Sequence, residues 1–131
     1  MLKILVFEDL DLRIQWFKRE LVGNSVDFFV KASDVLEALK TIEYDLIFLD
    51  HDVTMEHYGN PEKYFEDSGS GVARFLYYNK NSLKSKIIVH SCNPHGSARM
   101  MNFLKGRKAQ HVPFPKLKEK GLDWLLDGTT T

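Results

Sequence analysis

The chain has 131 residues, 44% hydrophobic and 27% charged, which is the size of one domain and the composition of a folded one. Disorder and low complexity are excluded on those grounds, and no apolar run approaches the length of a membrane span. The formal net charge is zero but unevenly laid: residues 1–70 carry 15 Asp/Glu against 7 Lys/Arg, and residues 71–131 carry 3 against 11. An acidic half suits a divalent cation and a basic half suits a phosphate-bearing partner, unless both are only solvated faces. The opening MLKILVFED is too short in apolar character for a signal peptide, and Cys92 has no second cysteine to pair with. A single domain over 1–131 in a reducing cytoplasm is the expectation.

The elements alternate. Lys3–Phe7 (KILVF) reads as a first strand, followed by Leu12, Trp16, Phe17 and Leu21 at helical spacing. Residues 26–30 (VDFFV) predict a second strand. Val35, Leu36, Leu39 and Ile42 predict a second helix, with Ser33 or Asp34 as N-cap and Glu37 placed for a capping box with Asp34. Residues 45–49 (DLIFL) form a third strand, apolar enough to be covered on both faces. Residues 53–70 are irregular and longer than most strand-to-helix connections, a length commonly tied to function. A helix carrying Val72, Phe75 and Leu76 opens after the Gly-Ser-Gly of 69–71. Residues 86–90 (KIIVH) give a fourth strand, and about 96–104 a fourth helix with Ala98, Met101 and Leu104 inward. A weak fifth strand at 110–112 is stopped by Pro113, and 117–126 predicts a last helix that buries Trp124 and Leu125. With right-handed crossovers this βα alternation predicts an α/β three-layer sandwich around a five-stranded parallel sheet of flavodoxin-like order 2-1-3-4-5.

In such sheets ligands bind beyond the carboxyl ends of the strands, where the strand order reverses, here between the first and third strands. The first strand ends in Glu8-Asp9, the third in Asp50-His51-Asp52, the fourth in His90-Ser91-Cys92-Asn93 and the fifth in Val112-Pro113-Phe114. Four carboxylates would converge, which is unfavourable unless a cation or a proton relieves them. Asp50 is the strongest site candidate, although a strand-end Asp also caps turns. Asp52 shares its side if the strand continues, as a second ligand, a general base or a turn residue, while His51 falls on the other register. His90 and His95 bracket Ser91 to Pro94, where neutral imidazoles can serve as acid and base on opposite sides of a phosphodiester. The Gly96-Ser97 helix start would offer backbone N–H groups to an anion, with Arg99 adding charge. Zinc held by His51, His57, His90 or His95 lacks a tight ligand spacing, and Cys92 reads as a small buried thiol rather than a nucleophile. Lys105, Arg107, Lys108, Lys116, Lys118 and Lys120 make a basic run without interleaved aromatics, a modest signal for RNA.

Glu8 and Asp9 after the first strand, Asp50 ending the third and Ser91 ending the fourth resemble the phosphoacceptor receiver domains of two-component signalling. That resemblance implies Mg²⁺ at the acidic pair, phosphoryl transfer to Asp50, and Ser91 bonding the phosphate. It also implies a Lys before a Pro on the fifth strand, but aligning Pro113 puts Val112 at that place, and His111 alternates to the other face. The LDHD strand end at 49–52, the long following loop and HSCNPHGSARMM at 90–101 more closely resemble a divergent group, the cyclic-phosphate processing receiver domain. This second resemblance implies action on cyclic phosphates or nucleotides.

The expected function is therefore a metal-assisted phosphoesterase acting on cyclic phosphates of RNA ends or on cyclic nucleotides. Glu8, Asp9 and Asp50 would hold Mg²⁺ or Mn²⁺. Asp50, Asp52, His90 and His95 would carry the chemistry, and Ser91, Asn93, Gly96 and Arg99 would bind phosphate. Two alternatives stand beside it: a receiver phosphorylated on Asp50, and a non-catalytic module that sequesters a nucleotide beneath the 53–70 loop.

Overall fold

The computed structural model describes residues 1–51, 68–79 and 83–126. Its strands are β1 (Lys3–Phe7), β2 (Ser25–Phe29), β3 (Leu46–Leu49), β4 (Lys86–Val89) and β5 (Lys108–His111), all parallel, in the order β2-β1-β3-β4-β5. The described helices are α1 (Asp11–Glu20), α2 (Ala32–Thr41), α3 (Gly69–Tyr78), α4 (Pro94–Phe103), α5 (Phe114–Lys120) and α6 (Asp123–Leu126). The chain is thus the expected three-layer, flavodoxin-like sandwich. None of these helices is long and apolar enough to cross a membrane.

Strand alternation divides the core in two. Leu5, Phe7, Ile47, Leu49, Ile87 and Val89 point to one face, where α2, α3 and α4 close over them through Val35, Leu39, Val72, Leu76 and Met100. Ile4, Val6, Leu46, Phe48 and Ile88 point to the other, covered by Trp16, Phe17 and Leu21 of α1 and its C-cap and by Leu117, Leu122 and Leu125 around α5 and α6. Both faces of β1 and β3 are buried, which is why their sequences are almost unbroken in apolar character.

Several boundaries differ from the sequence reading. The N-cap of α2 is Lys31, without a side-chain cap, because Ala32 is already packed in the core and the helix must begin there; Ser33 and Asp34 lie inside the first turn, where Asp34 favours the helix dipole instead. Leu12 is 85% exposed, so α1 turns only Trp16 and Phe17 inward. The Gly-Ser-Gly of 69–71 is the first turn of α3, capped by Ser68, rather than its prelude. Helix α4 begins at Pro94 and buries Gly96, Ser97 and Met100, leaving Ala98 exposed. The fifth strand begins earlier than expected, at Lys108, as a mostly exposed edge with little apolar signal. The predicted last helix is two, broken where Gly121 takes φ 73°, a conformation that favours glycine.

Candidate functional site

The alternation that builds the second core face continues one step past each strand. After Ile4 and Val6 comes Glu8; after Leu46 and Phe48 comes Asp50; after Ile88 comes His90. The sheet ladder continues as well. Glu8 donates its N–H to Phe29 O (3.1 Å), Asp50 to Phe7 O (3.1 Å) and His90 to Leu49 O (2.9 Å), so the three residues stand side by side on adjacent strand ends. All three side chains are buried, and their donor atoms lie within 4.8 Å of one another.

Glu8 is the most constrained. Its Oε2 accepts the N–H groups of Asp9 (3.0 Å) and Leu10 (3.1 Å), and its Oε1 meets His90 Nε2 at 2.9 Å. Arg13 Nη1 stands 3.6 Å from the same Oε1. Burial pushes the Glu8 carboxyl up, but the His90 hydrogen bond and charge, the Leu10 amide and Arg13 together outweigh it and hold the group below its ordinary value. Asp50 is held less firmly. Its Oδ1 accepts the His51 N–H at 2.8 Å, and its Oδ2 lies 4.0 Å from Arg13 Nη1. Burial, reinforced by the Glu8 charge and only partly countered by His90, the His51 amide and Arg13, pushes its carboxyl up to about 6. Two adjacent carboxylates have thus been driven apart in acidity, because one has hydrogen bonds to spare and the other has few.

His90 sits among aromatic rings, with centroids 5.3 Å from Phe17, 6.4 Å from Phe114 and 6.5 Å from Phe48. Its Nδ1 is buried without a hydrogen-bond partner among the described residues. Arg13 closes the site from α1. Its guanidinium carbon is 4.7 Å from the Phe114 ring centroid, and its Nη2 is 3.9 Å from Cys92 Sγ. Sequence reasoning missed Arg13, yet a signal exists: a cation in the first turn of a helix opposes the dipole unless a nearby acid claims it.

The structure treats the other anticipated residues unevenly. Asp9 is exposed and outside the three-residue donor set, contributing its backbone N–H to Glu8. Asp52, His57 and most of the 53–70 loop lie outside the described residues. His51 points to the opposite face, where its Nε2 is 2.9 Å from Ser70 Oγ. The register gives His90, not Ser91, the place beside Asp50; Ser91 is buried, with its Oγ accepting the Asn93 N–H at 3.0 Å. The expected free amides at the fourth helix start are corrected: Asn93 Oδ1 accepts the Gly96 N–H (3.0 Å), and Asn93 O accepts the Ser97 N–H (2.8 Å). Gly96 is needed for packing instead, since a Cβ there would collide with the His51 ring. His95 and Arg99 are exposed on α4, so the structure does not bury His95 alongside His90. Val112 is buried and apolar, and the His111 ring donates its Nε2–H to Ser91 O at 2.9 Å. Cys92 is exposed rather than buried.

Two carboxylates and an imidazole, with one carboxyl destabilised in its charged form, form a donor set that a divalent cation would relieve of its charge. A five-stranded 2-1-3-4-5 sheet with this acidic cluster beyond β1 and β3 defines a receiver-like domain. The chain belongs to the cyclic-phosphate processing receiver domain family, whose profile matches residues 5–106.

Solved receivers share the fold. The Mn²⁺-bound form of response regulator Rcp1 is 13% identical with a TM-score of 0.73, over 100% of this chain and 98% of that one. The phosphorylated cyanobacterial phytochrome response regulator RcpA is 16% identical with a TM-score of 0.69, over 98% and 96%. The Mg²⁺-BeF complex of the response regulator TrrA from Thermotoga maritima is 25% identical with a TM-score of 0.64, over 92% and 96%. A comparison with curated protein sequences finds no match.

Proposed function

We propose that this domain is a phosphoryl-accepting receiver whose acceptor is Asp50. The carrying observation is the asymmetry of the Asp50 carboxylate: Oδ1 is pinned by the His51 amide, while Oδ2 faces Arg13 next to the Glu8 carboxylate. That leaves one oriented oxygen in a buried cluster whose charge calls for a cation. Glu8 and Asp50, with Asp9 at the rim, would hold Mg²⁺ or Mn²⁺, which supplies charge that offsets both the carboxylates and incoming phosphate oxygens. In the transfer, Oδ2 forms a bond to phosphorus as the bond from phosphorus to the donor's leaving oxygen breaks, and the leaving group departs with that electron pair. Neighbours of the same fold, a response regulator from Burkholderia pseudomallei with a phosphorylated aspartic acid and others with bound Mn²⁺ or Mg²⁺-BeF, support the reading by analogy of fold. Incubation with acetyl phosphate and Mg²⁺ tests it: intact mass should rise by one phosphoryl group, mapped to Asp50. No adduct at any divalent cation concentration would refute it.

One observation favours a second reading, hydrolysis of a cyclic phosphate. The Glu8–His90 contact at 2.9 Å is a buried carboxylate–imidazole pair beside Asp50, able to hold a proton close to a phosphate ester, and the family's description points the same way. Turnover of 2′,3′-cyclic mononucleotides or cyclic dinucleotides with Mn²⁺ is its test, and unchanged nucleotide at high protein concentration would eliminate it.

A further inference from the structure

The receiver pattern places a Lys at the fifth strand's end, and here that position is Val112, buried among Trp16, Phe48 and Leu117 on the second core face. The charge has not left the site. Arg13 reaches in from α1 to 4.0 Å from Asp50 Oδ2 and 3.6 Å from Glu8 Oε1, with its guanidinium braced on the Phe114 ring two residues beyond Val112. We infer that Arg13 is the residue that receives the phosphate oxygens at this site, in the role the fifth strand leaves vacant; this rests on the phosphoryl-acceptor reading.

Accessibility supports the assignment. The Arg13 side chain is 22% exposed, against 0% for Glu8 and 7% for Asp50, so it is the member of the group that an arriving phosphate meets first. Arg13 also borders a groove of about 500 Å³ between α1 and α5, where Arg19 and Lys118 join it against a single acid, Asp11. Incoming phosphate would meet positive charge along that groove and arrive at a planar guanidinium able to donate two parallel hydrogen bonds. The long contacts to Glu8 and Asp50 fit a cation that holds the acids together without a phosphate and turns to phosphate oxygens once one is present.

The test uses beryllium fluoride with Mg²⁺ as the phosphoryl analogue and Mg²⁺ alone as the control, both read by tryptophan fluorescence and calorimetry, with acetyl phosphate uptake read by mass. Arg13→Gln should weaken beryllium fluoride binding by about tenfold or more, a loss expected for one charge-assisted contact. Its Mg²⁺ affinity should hold or rise, because a competing cation has gone from beside the carboxylates. Arg13→Lys should recover most of the binding, and Val112→Lys in the Arg13→Gln background should recover part of it. A melting curve establishes that each variant is folded. Equal beryllium fluoride affinity in wild type and Arg13→Gln would overturn the assignment, and so would a parallel loss of Mg²⁺ binding, which marks a merely structural role. A wild type that takes neither beryllium fluoride nor phosphoryl would instead refute the acceptor reading, and this inference with it.

Discussion

Asp50 and His51 are neighbours in sequence and end on opposite faces of the sheet, and the two places are built on different terms. His51 lies in a closed environment: its ring bonds Ser70 Oγ, packs on Gly96, and its carbonyl accepts the Gly69 N–H at 3.1 Å. Asp50 is also buried but among unmatched groups, with a carboxyl pushed up to about 6, an acidic neighbour, and a histidine whose Nδ1 has no partner among the described residues. A buried polar residue whose hydrogen bonds are all met within the protein stabilises the fold; one left short is poised for something from outside. The comparison teaches that burial of a titratable residue beyond a strand end does not by itself mark a site. What marks it is unbalanced charge.

The largest expected effect comes from removing that imbalance. Asp50→Asn should abolish phosphoryl uptake, seen as complete loss of the mass adduct, yet stabilise the metal-free protein. The sign follows from the raised carboxyl: its contribution to stability is fully present below the unfolded value of 3.8 and is lost as pH rises through about 6. At pH 8 the charged form costs about 3 kcal/mol at ~1.4 kcal/mol per unit, so the variant should gain up to that in urea melts with chelator, with no gain below about pH 4. Added Mg²⁺ should raise the melting temperature of the wild type more than that of the variant. A destabilised Asp50→Asn with an intact metal response would erase the distinction between the two faces.

Glu8 sharpens the comparison within the Asp50 cluster, because its hydrogen bonds are met. Glu8→Gln should lose about 3 kcal/mol near pH 7, the usual consequence of breaking a buried pair. Its carboxyl is lowered in the fold, so its stabilisation is present above the unfolded value of 4.5 and is lost as pH falls through the folded one. The acid limb of the wild-type stability profile should therefore flatten in Glu8→Gln. Opposite signs for two carboxylates within one cluster are the outcome to look for, and chemical denaturation across pH 3–8 reads both.

On the closed face the effects are smaller and purely structural. Gly96→Ala should cost about 2 kcal/mol, since the new Cβ meets the His51 ring and one of them must shift. Ser70→Ala should cost about 1 kcal/mol by leaving His51 Nε2 without its hydroxyl. Both variants should still take a phosphoryl group from acetyl phosphate. Loss of uptake at unchanged fold would show that the second face belongs to the site after all.

The fold was legible because hydrophobic period and strand order are local properties of the chain: the apolar runs at 3–7 and 46–49 and the βα alternation lead to the 2-1-3-4-5 sheet with few alternatives. Glu8, Asp50 and His90 were legible for the same reason, each being one step past a strand whose inward face the sequence already declares. Element ends were less so. The cap of α2 falls where Ala32 first packs against the core rather than on a residue suited to capping, while α3 starts earlier than its apolar pattern because Ser68 caps it.

From the sequence alone it follows that three strand ends, those of β1, β3 and β4, bear titratable side chains and that acids gather where the strand order reverses. Only the tertiary structure decided which residues share a face and which hydrogen bonds are already spent. It gave His90 rather than Ser91 the place beside Asp50, committed the Gly96 amide to Asn93, and brought Arg13 from the next helix into contact with both acids. Strand periodicity reports the direction of a side chain along its own segment. Charge balance and hydrogen-bond satisfaction are sums over segments far apart in the chain, and those sums exist only once the segments have packed.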